Sequence, residues 1–350
     1  MAYTTIDNPE LYFQTKLYNG SNSGQSITFD GSENMQPDWV WIKSRNGSSR
    51  DHCLYDSVRG VNKRIESNND NAENTTSDQL TSFDSNGFSV GVGEADINSG
   101  GRTFASWNWL AGGSASSNTD GSITSTVSAN TTSGFSIVSY TGTGSNATIG
   151  HGLGVTPKWI IVKQRNTVRS WEVFHSSIPS MNTKYIELNT SAGATTYSPI
   201  WGGTDPTSTT FHVGTDNSTN NSSGNFIAYC FAEKQGYSKF GSYTGNGDND
   251  GSFIYTGFKP AMVIYKKSSG TENWFIHDNK RQSFNPENEY LFPDLSNAEG
   301  TANRIDLLSN GFKATTSDGG INGSGASYIY MCFAEAPFVT AGTKAAGTAR

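Results

Sequence analysis

Pro37-Asp-Trp39-Val-Trp41-Ile-Lys43 is the stretch that decides the fold, because close variants of it occur twice more in the chain. The other copies are Pro157-Lys-Trp159-Ile-Ile161-Val-Lys163 and Pro260-Ala-Met262-Val-Ile264-Tyr-Lys266. Proline cannot donate a hydrogen bond to a sheet, so it suits the first residue of a strand. The β-branched and aromatic residues behind it favour a pleated strand. Since both faces of the run are apolar, the pattern predicts a central strand covered on both sides, and we expect the lysine to mark where the strand leaves the core.

Three other motifs keep their distance from this anchor strand in every copy. A Tyr-x-Gly precedes it, a Phe strand follows it, and an aromatic strand closes the copy at Trp109, Phe231 or Phe333. The closing residue comes 72, 74 or 73 residues after the proline. A repeat of this kind decides the architecture before any local pattern does. We therefore divide the chain into an N-terminal arm (1–16), unit one (17–112), a Gly/Ser-rich linker (113–122), unit two (123–235), unit three (236–335) and a C-terminal tail (336–350).

The composition fits many short strands joined by turns. The 350 residues include 39 Gly, and only 16% of them are charged. Hydrophobic residues make up 34% of the chain, and the 12% that are aromatic can each bury a large area. Each unit shows seven or eight short apolar runs separated by turn signals, without an amphipathic helix. The sequence thus predicts an all-β protein of three tandem β-sandwiches with jelly-roll or lectin-like topology.

Charge and hydropathy exclude several classes of partner. The net charge is −7 and the isoelectric point is about 5.3, which disfavours nucleic acid because phosphate binding needs a basic surface. No run of 18 apolar residues occurs, so we expect no membrane insertion. The chain begins without a secretory leader, and we expect it to be made in a cytoplasm and released by lysis. We expect the three cysteines to be small buried apolar residues that form no disulfide framework.

The acidic and histidine residues give no catalytic set. His175 and His277 align between units two and three, with Tyr55 at that position in unit one, but no nucleophile recurs beside them. Glu233 and Glu335 also align, yet they lie in separate units, whereas a glycosidase needs two carboxylates that face each other. We expect a protein without catalytic residues, and therefore not an enzyme.

The sequence also predicts no cofactor and no metal site. Asn246-Gly-Asp248-Asn-Asp250-Gly251 resembles a calcium loop, but Gly257 stands where the bidentate glutamate would be, and we favour a tight Asx/Gly turn. No His/Cys cluster has metal-binding spacing, and no Gly-rich loop joins a strand to a helix as a phosphate cradle would.

Two aromatic residues are candidates for ligand contact. Most tryptophans lie on predicted strands and belong to the core, but Trp201 follows Tyr197-Ser-Pro-Ile in a loop rich in Gly and Pro. An exposed ring can stack on the apolar face of a sugar. Trp201, with Tyr197 near it, is therefore the predicted carbohydrate contact.

The two ends of the chain supply candidate assembly residues. The arm and the tail lack a period of their own but contain apolar side chains, namely Leu11, Tyr12, Phe13, Phe338 and Val339. Exposed apolar groups of this kind mark interaction sites. We expect a neighbouring subunit or another protein to cover them, and we predict self-association.

The motifs together resemble a tandem domain of virion proteins from phages of marine bacteria and cyanobacteria. The resemblance rests on the anchor strand, the Tyr-x-Gly, the Ser-Asn-Gly-Phe of units one and three, and the closing Cys332-Phe-Ala-Glu-Ala-Pro-Phe338. The opening of the chain, from Met1 to Gly20, is similar to the start of such proteins. Unit one departs from the pattern, because Trp109 is followed by Leu-Ala-Gly-Gly. The resemblance implies a virion structural protein, often a tail fibre, and a three-fold assembly, which makes a homotrimer the expected oligomer.

The resulting hypothesis is a tail-fibre or receptor-binding adhesin that attaches the virion to host surface glycans. Loops rich in Asn, Ser, Thr, Gly and Tyr are adaptable contact surfaces, and repeated units add avidity. The alternative is a capsid decoration or fibre-anchoring protein that binds other virion subunits. A polysaccharide depolymerase is a third hypothesis, which the lack of a recurring carboxylate pair disfavours.

Overall fold

Strands dominate the computed structural model, which describes residues 3–92 and 95–340 and is 44% strand and 4% helix. The chain is therefore nearly all-β, as the sequence predicts. The strands form six antiparallel sheets, two in each unit. Within the described residues, the helical segments are two 3-10 turns, Pro9–Leu11 and Met181–Thr183, and two single-turn α-helices, α1 (Ala95–Asn98) and α2 (Asn217–Asn220). No helix in this part of the chain is long and apolar enough to cross a membrane.

The first nine strands belong to unit one and the end of the arm. They are β1 (Phe13–Asn19), β2 (Gln25–Thr28), β3 (Trp39–Ser44), β4 (Cys53–Asp56), β5 (Lys63–Glu66), β6 (Asn74–Thr75), β7 (Leu80–Asp84), β8 (Gly87–Val90) and β9 (Thr103–Trp109). The larger sheet has the order β1-β9-β3-β4-β5-β6, and the smaller sheet has the order β2-β8-β7. Residues 13–16 of the predicted arm thus lie in β1.

Ten strands follow in the linker and unit two. They are β10 (Ser116–Asn118), β11 (Ser125–Asn130), β12 (Phe135–Thr141), β13 (Ala147–Gly150), β14 (Trp159–Gln164), β15 (Trp171–His175), β16 (Lys184–Glu187), β17 (Thr195–Thr196), β18 (Thr210–Val213) and β19 (Asn225–Phe231). The larger sheet runs β10-β11-β12-β19-β14-β15-β16-β17, and β13 pairs with β18 in the smaller one. The segment predicted as a linker therefore contains a strand, β10.

Unit three has two sheets of four strands. The strands are β20 (Ser238–Thr244), β21 (Phe253–Tyr255), β22 (Phe258–Lys267), β23 (Trp274–Asp278), β24 (Glu287–Tyr290), β25 (Gly300–Leu308), β26 (Gly311–Ala314) and β27 (Ser327–Pro337). Their orders are β20-β27-β22-β23 and β21-β26-β25-β24. The first two residues of the predicted tail lie in β27, and residues 341–350 of that tail lie outside the described residues.

The larger sheets share one arrangement, which is the structural form of the sequence repeat. The four-strand order β1-β9-β3-β4 recurs as β12-β19-β14-β15 and β20-β27-β22-β23. The anchor strand is an interior strand in each sheet, as predicted. Pro37 and Pro157 come two residues before their strands, but Pro260 lies inside β22, where the register shifts on both sides of it. A β-bulge tolerates a residue without an N–H, so this proline does not open its strand as expected.

The anchor strands also bury their lysines, which corrects the expectation that the lysine marks an exit to solvent. Lys43, Lys163 and Lys266 are all buried. The ammonium of Lys163 donates to the carbonyl oxygens of Arg169 and Asp70, at 2.8 and 3.1 Å, and Asp70 belongs to unit one. Lys43 and Lys266 likewise reach carbonyl oxygens of a neighbouring unit. Burial lowers the pKa of each ammonium to about 8.

The three units contact one another in a closed cycle. The backbone N–H of Glu73 in unit one donates to the carbonyl of Arg165 in unit two, at 2.7 Å. The N–H of Ala194 in unit two donates in the same way to Ser268 in unit three. The cycle closes where the N–H of Glu299 in unit three donates to Arg45 in unit one. Each unit therefore contacts both of the other two.

Aromatic side chains from the larger sheets fill the space that the units share. Trp39 stacks on Tyr229 with ring centroids 4.3 Å apart, and Phe333 contacts both Trp109 and Phe231 within 6 Å. These residues belong to one buried cluster that extends through all three units. Separate clusters lie between the two sheets of unit one and between the two sheets of unit three. A shared core of this kind makes the units depend on each other for burial.

Candidate functional site

A groove opens where the end of unit two meets unit three. Its volume is about 250 Å³. Its lining includes Tyr3, Glu233, Gln235, Ser238, Lys239 and Tyr255. The arm, the junction between two units and the edge strand β21 thus each contribute side chains to one small concave surface.

The edge strand β21 positions the most exposed ring of the groove. Its residues alternate between exposed and buried, as a strand with one covered face requires. Ile254 points into the core of unit three and pairs with Phe312 on β26. Phe253 and Tyr255 therefore point outwards, and 48% and 54% of their surfaces are exposed.

A glycine lets two tyrosines converge at this place. Gly257 has a φ of +83°, which favours glycine, and a Cβ there would lie 2.6 Å from the hydroxyl oxygen of Tyr3 and 3.4 Å from that of Tyr255. The Tyr3 hydroxyl donates to the carbonyl of Gly257. Both phenol groups are thus held over the same glycine at the edge of the groove.

An ion pair supplies the polar side of the groove. The ammonium of Lys239, on β20, lies 2.7 Å from the Glu233 carboxylate, just after the end of β19. Both side chains keep about a third of their surface exposed. An ammonium has three donors and a carboxylate has two acceptor oxygens, so the pair can still serve a ligand. A sugar ring matches this arrangement, because it offers an apolar face to a tyrosine and hydroxyls to a donor and an acceptor.

The predicted carbohydrate contact at Trp201 is wrong, because that ring is not exposed. Only 1% of the Trp201 surface is accessible, and its ring packs edge-on against Phe174 with centroids 5.7 Å apart. Tyr197 is 46% exposed and contacts the ring of Tyr185. The structure therefore leaves Tyr197 as a single exposed ring without its predicted partner.

The two aligned glutamates are not brought together. Glu233 pairs with Lys239, whereas Glu335 pairs with Lys259 at 2.8 Å and accepts from Asn279. They line different cavities. Each carboxylate thus has its own cationic neighbour.

The alignment of His175 with His277 is wrong by one residue. In the strand registers His175 lies opposite Trp159, the position that Asp56 takes in unit one and Asp278 in unit three. His277 lies one position earlier and corresponds to Tyr55. A one-residue shift in a strand moves a side chain to the other face, so the two histidines have different surroundings. Both are buried, and burial lowers the pKa of His175 to about 4 and that of His277 well below its usual range.

The calcium-like loop is a series of Asx turns, as expected. The Asn246 side chain accepts from the N–H of Asp248, at 2.9 Å, and Asp248 accepts from the N–H of Asp250, at 3.0 Å. The Asp250 carboxylate pairs with Lys313. Within residues 3–92 and 95–340, no group of three or more His, Cys, Asp or Glu side chains is arranged to hold a metal ion.

The apolar residues of the two ends are largely covered by the chain itself. Phe13 is buried in β1 and stacks on Phe333, which corrects the expectation that it needs a second subunit. Tyr12 packs against Tyr237. Phe338 contacts the ring of Tyr3, and Val339 is half-buried. Leu11, which is 37% exposed, is the most accessible of the five predicted assembly residues.

Sequence reasoning missed Tyr3, Lys239 and Tyr255, although a comparison of the repeats contains a signal for Tyr255. Ile27, Ile149 and Ile254 are equivalent, because each pairs with the Phe of the strand that follows the anchor. The residue after this isoleucine is Thr28 in unit one and Gly150 in unit two. An aromatic residue at an outward position in one repeat alone indicates a role outside the core.

The sequence model of one family, described as a domain of unknown function (DUF7483), matches residues 8–337. No curated protein and no solved structure matches the chain. The family match spans most of the arm and all three repeat units, and the chain therefore belongs to the DUF7483 family.

Proposed function

We propose that the protein is a non-enzymatic adhesin that binds surface glycans in the groove of Tyr255. The observation that carries this proposal is the convergence of Tyr3 and Tyr255 with the Lys239–Glu233 pair.

The binding mode follows from the chemistry of the lining. The exposed ring of Tyr255 stacks on the C–H face of a sugar, while Tyr3 closes the side of the groove. Lys239 donates to one sugar hydroxyl and Glu233 accepts from its neighbour. Hydrogen bonds to charged groups are worth about 1.5–3 kcal/mol, but exposure to water reduces this, so one groove binds weakly.

Weak single sites suit an attachment protein that carries several copies. We interpret each pair of sheets as a β-sandwich, and the three sandwiches as a rigid holder for one groove. The resemblance to phage proteins supports a virion tail-fibre location, with synthesis in the host cytoplasm and release by lysis. A homotrimer would present three grooves to one host cell and gain affinity through effective concentration.

The alternative, a capsid decoration or fibre-anchoring protein, is supported by a different feature. Phe284 is 74% exposed, and the three units are joined in a closed cycle of contacts. Both features suit a protein that binds other virion subunits. Electron microscopy of the virion distinguishes the two proposals, because an adhesin lies at a fibre tip and an anchor lies on the capsid or tail.

The glycan proposal is tested with Tyr255→Ala on an array of bacterial surface polysaccharides. We expect roughly tenfold weaker binding, equivalent to about 1.4 kcal/mol, because the stacking surface is lost. Tyr197→Ala is the matched control, since this tyrosine is similarly exposed elsewhere on the surface. Equal binding by Tyr255→Ala and the unmodified protein would exclude the groove as the glycan site.

A further inference from the structure

We propose that the groove of Tyr255 is one end of a longer site in which Phe253 forms a second stacking platform. The ligand is then a linear, neutral oligosaccharide of at least two sugars. This inference rests on the proposed function and extends it from the kind of ligand to its length and charge.

The strand geometry places the two rings on one line. Phe253 and Tyr255 are two residues apart on β21 and point to the same side of the sheet. Side chains in this relation are separated by about 6.6 Å along the strand. The two platforms are close enough for consecutive sugars of one chain and too far apart for one sugar to cover both.

A second glycine lets the Phe253 ring lie close to the sheet. Gly311 on β26 lies opposite Tyr255, and a Cβ there would be 3.2 Å from the Cε2 atom of Phe253. The edge of the ring therefore occupies the space that a larger residue would take. Since nearly half of the Phe253 surface remains exposed, the ring offers a face to a ligand that lies along the strand.

The charges beside the two rings are balanced. Lys313 lies opposite Phe253 and pairs with Asp250, and Lys239 pairs with Glu233 in the groove. Each cation thus has a carboxylate as its neighbour. A carboxylated or sulfated sugar would have to compete with these carboxylates, whereas hydroxyl groups can bind to both partners of each pair. The surface therefore favours a neutral glycan.

The double platform is a feature of unit three alone. At the two equivalent positions of the corresponding strand, unit one has Ser26 and Thr28, and unit two has Thr148 and the buried Gly150. These residues cannot stack on a sugar. Among the three equivalent strands, all of which the structure describes, one has such a site, so presenting several such sites would take several copies of the chain.

The test uses sugars of increasing length. The probes are N-acetylglucosamine, maltose and cellulose oligomers of one to six sugars, with galacturonic acid oligomers as acidic counterparts, measured by calorimetry on the full chain. We expect affinity to rise roughly tenfold from one sugar to three in the neutral series. Phe253→Ala should abolish this rise and keep the affinity for one sugar, and Phe253→Tyr should restore it. Phe284→Ala is the control for loss of an exposed ring.

Each outcome bears on one of the two proposals. If Tyr255→Ala weakens binding while length and Phe253→Ala have no effect, the oligosaccharide inference is wrong and the glycan site remains. If acidic oligomers bind more tightly than neutral ones of the same length, the ligand is not neutral. If no probe binds in a way that depends on Tyr255, the glycan function fails and the inference fails with it.

Discussion

The contact between units one and two is built from buried and partly buried charges, whereas the equivalent positions between units two and three are neutral. At the first contact Asp56 pairs with Arg59, and Glu73 pairs with Arg165 at 2.9 Å. Arg59 also reaches Glu73, and the hydroxyl of Tyr229 donates to Asp56 at 2.7 Å. Unit two thus adds an arginine and a tyrosine to a cluster that begins in unit one.

The contact between units two and three, called the neutral contact below, has neutral residues at all the positions of this cluster. By strand register, chain spacing and backbone hydrogen bonding, its equivalent residues are His175, Ile178, Ala194, Ser268 and Met331. The third contact, between units three and one, again has the charged form. Its residues are Asp278, Arg281, Glu299, Arg45 and Trp107.

We infer from this difference that these positions work as a set. A buried charge that loses its partner destabilises a protein strongly, while a complete set can be exchanged for neutral residues at little cost. Five positions that lie far apart in the chain are therefore either all of the charged kind or all of the neutral kind. Four experiments test this comparison.

Breaking the charged set at one residue has the largest expected effect. Arg59→Ala leaves Asp56 and Glu73 beside each other without their shared cation, so we expect the free energy of unfolding to fall by about 3–5 kcal/mol. Urea denaturation followed by tryptophan fluorescence measures it. A loss below about 1 kcal/mol would show that the cluster is not held as a set.

Replacing the whole charged set should cost less than breaking it. The variant combines Asp56→His, Arg59→Ile, Glu73→Ala, Arg165→Ser and Tyr229→Met, which copies the neutral contact. We expect a loss of at most about 2 kcal/mol, because no buried charge is left unpaired. Urea denaturation of this variant and of Arg59→Ala under the same conditions compares their free energies of unfolding. A fivefold variant less stable than the single one would mean that the neutral set depends on its own surroundings.

Acid should weaken the neutral contact first. The folded pKa of His175 is about 4, below the usual value of about 6.5, so between these pH values the unfolded chain binds a proton that the folded chain does not. Stability is therefore lost as the pH falls through this range, and the loss at pH 5 is about 2 kcal/mol. His175→Gln should remove this part of the decrease between pH 7 and pH 5.

The charged contact responds to acid at lower pH. Burial opposes the charge of Glu73, but Arg165 and Arg59 outweigh it, and the pKa of Glu73 lies below its usual value. Its contribution is present above about pH 4.5 and is lost only as the pH falls through the lower, folded pKa. If His175→Gln kept the full decrease between pH 7 and pH 5, the neutral contact would not be the first to weaken.

The smallest effect should be equal in all three units. Tyr18, Tyr140 and Tyr243 each donate a hydroxyl hydrogen bond to the residue before a buried asparagine. Substitution of any one by Phe should cost about 1 kcal/mol in urea denaturation. This hydrogen bond does not depend on the charges at the contacts between units. Unequal losses of stability would therefore show that the units differ in their interiors as well as at their contacts.

Local sequence patterns predicted the strands, but they could not predict the contacts between units. The anchor strands follow from β-branched and aromatic runs, which depend only on neighbouring residues. The burial of Lys163 depends on Asp70 in another unit, and no local pattern encodes that distance. For the same reason, the Tyr-x-Gly motif could be found from the sequence. The buried asparagines that lie beside the hydrogen-bond acceptors of its tyrosines could not.

The candidate site was harder to predict than the fold. Trp201 stands between Pro and Gly, which is typical of an exposed loop, but Phe174 from a neighbouring strand covers it. Tyr255 shows the reverse case, because an aromatic residue on a strand usually belongs to the core, whereas this one is exposed. Its exposure results from its place on the outward face of β21, and a run of apolar and aromatic residues such as Phe253-Ile-Tyr255 does not tell which face of the strand is covered.

The closed cycle of contacts fixes the number of repeats. In an open array each repeat touches only its neighbours, so an array can grow or shrink by one unit through duplication or deletion of its gene segment. Here unit three contacts unit one, and a fourth unit would have to enter between partners that already share a core. The repeats can therefore diverge in sequence, as the neutral contact and the aromatic strand of unit three have done, but their number cannot change one at a time.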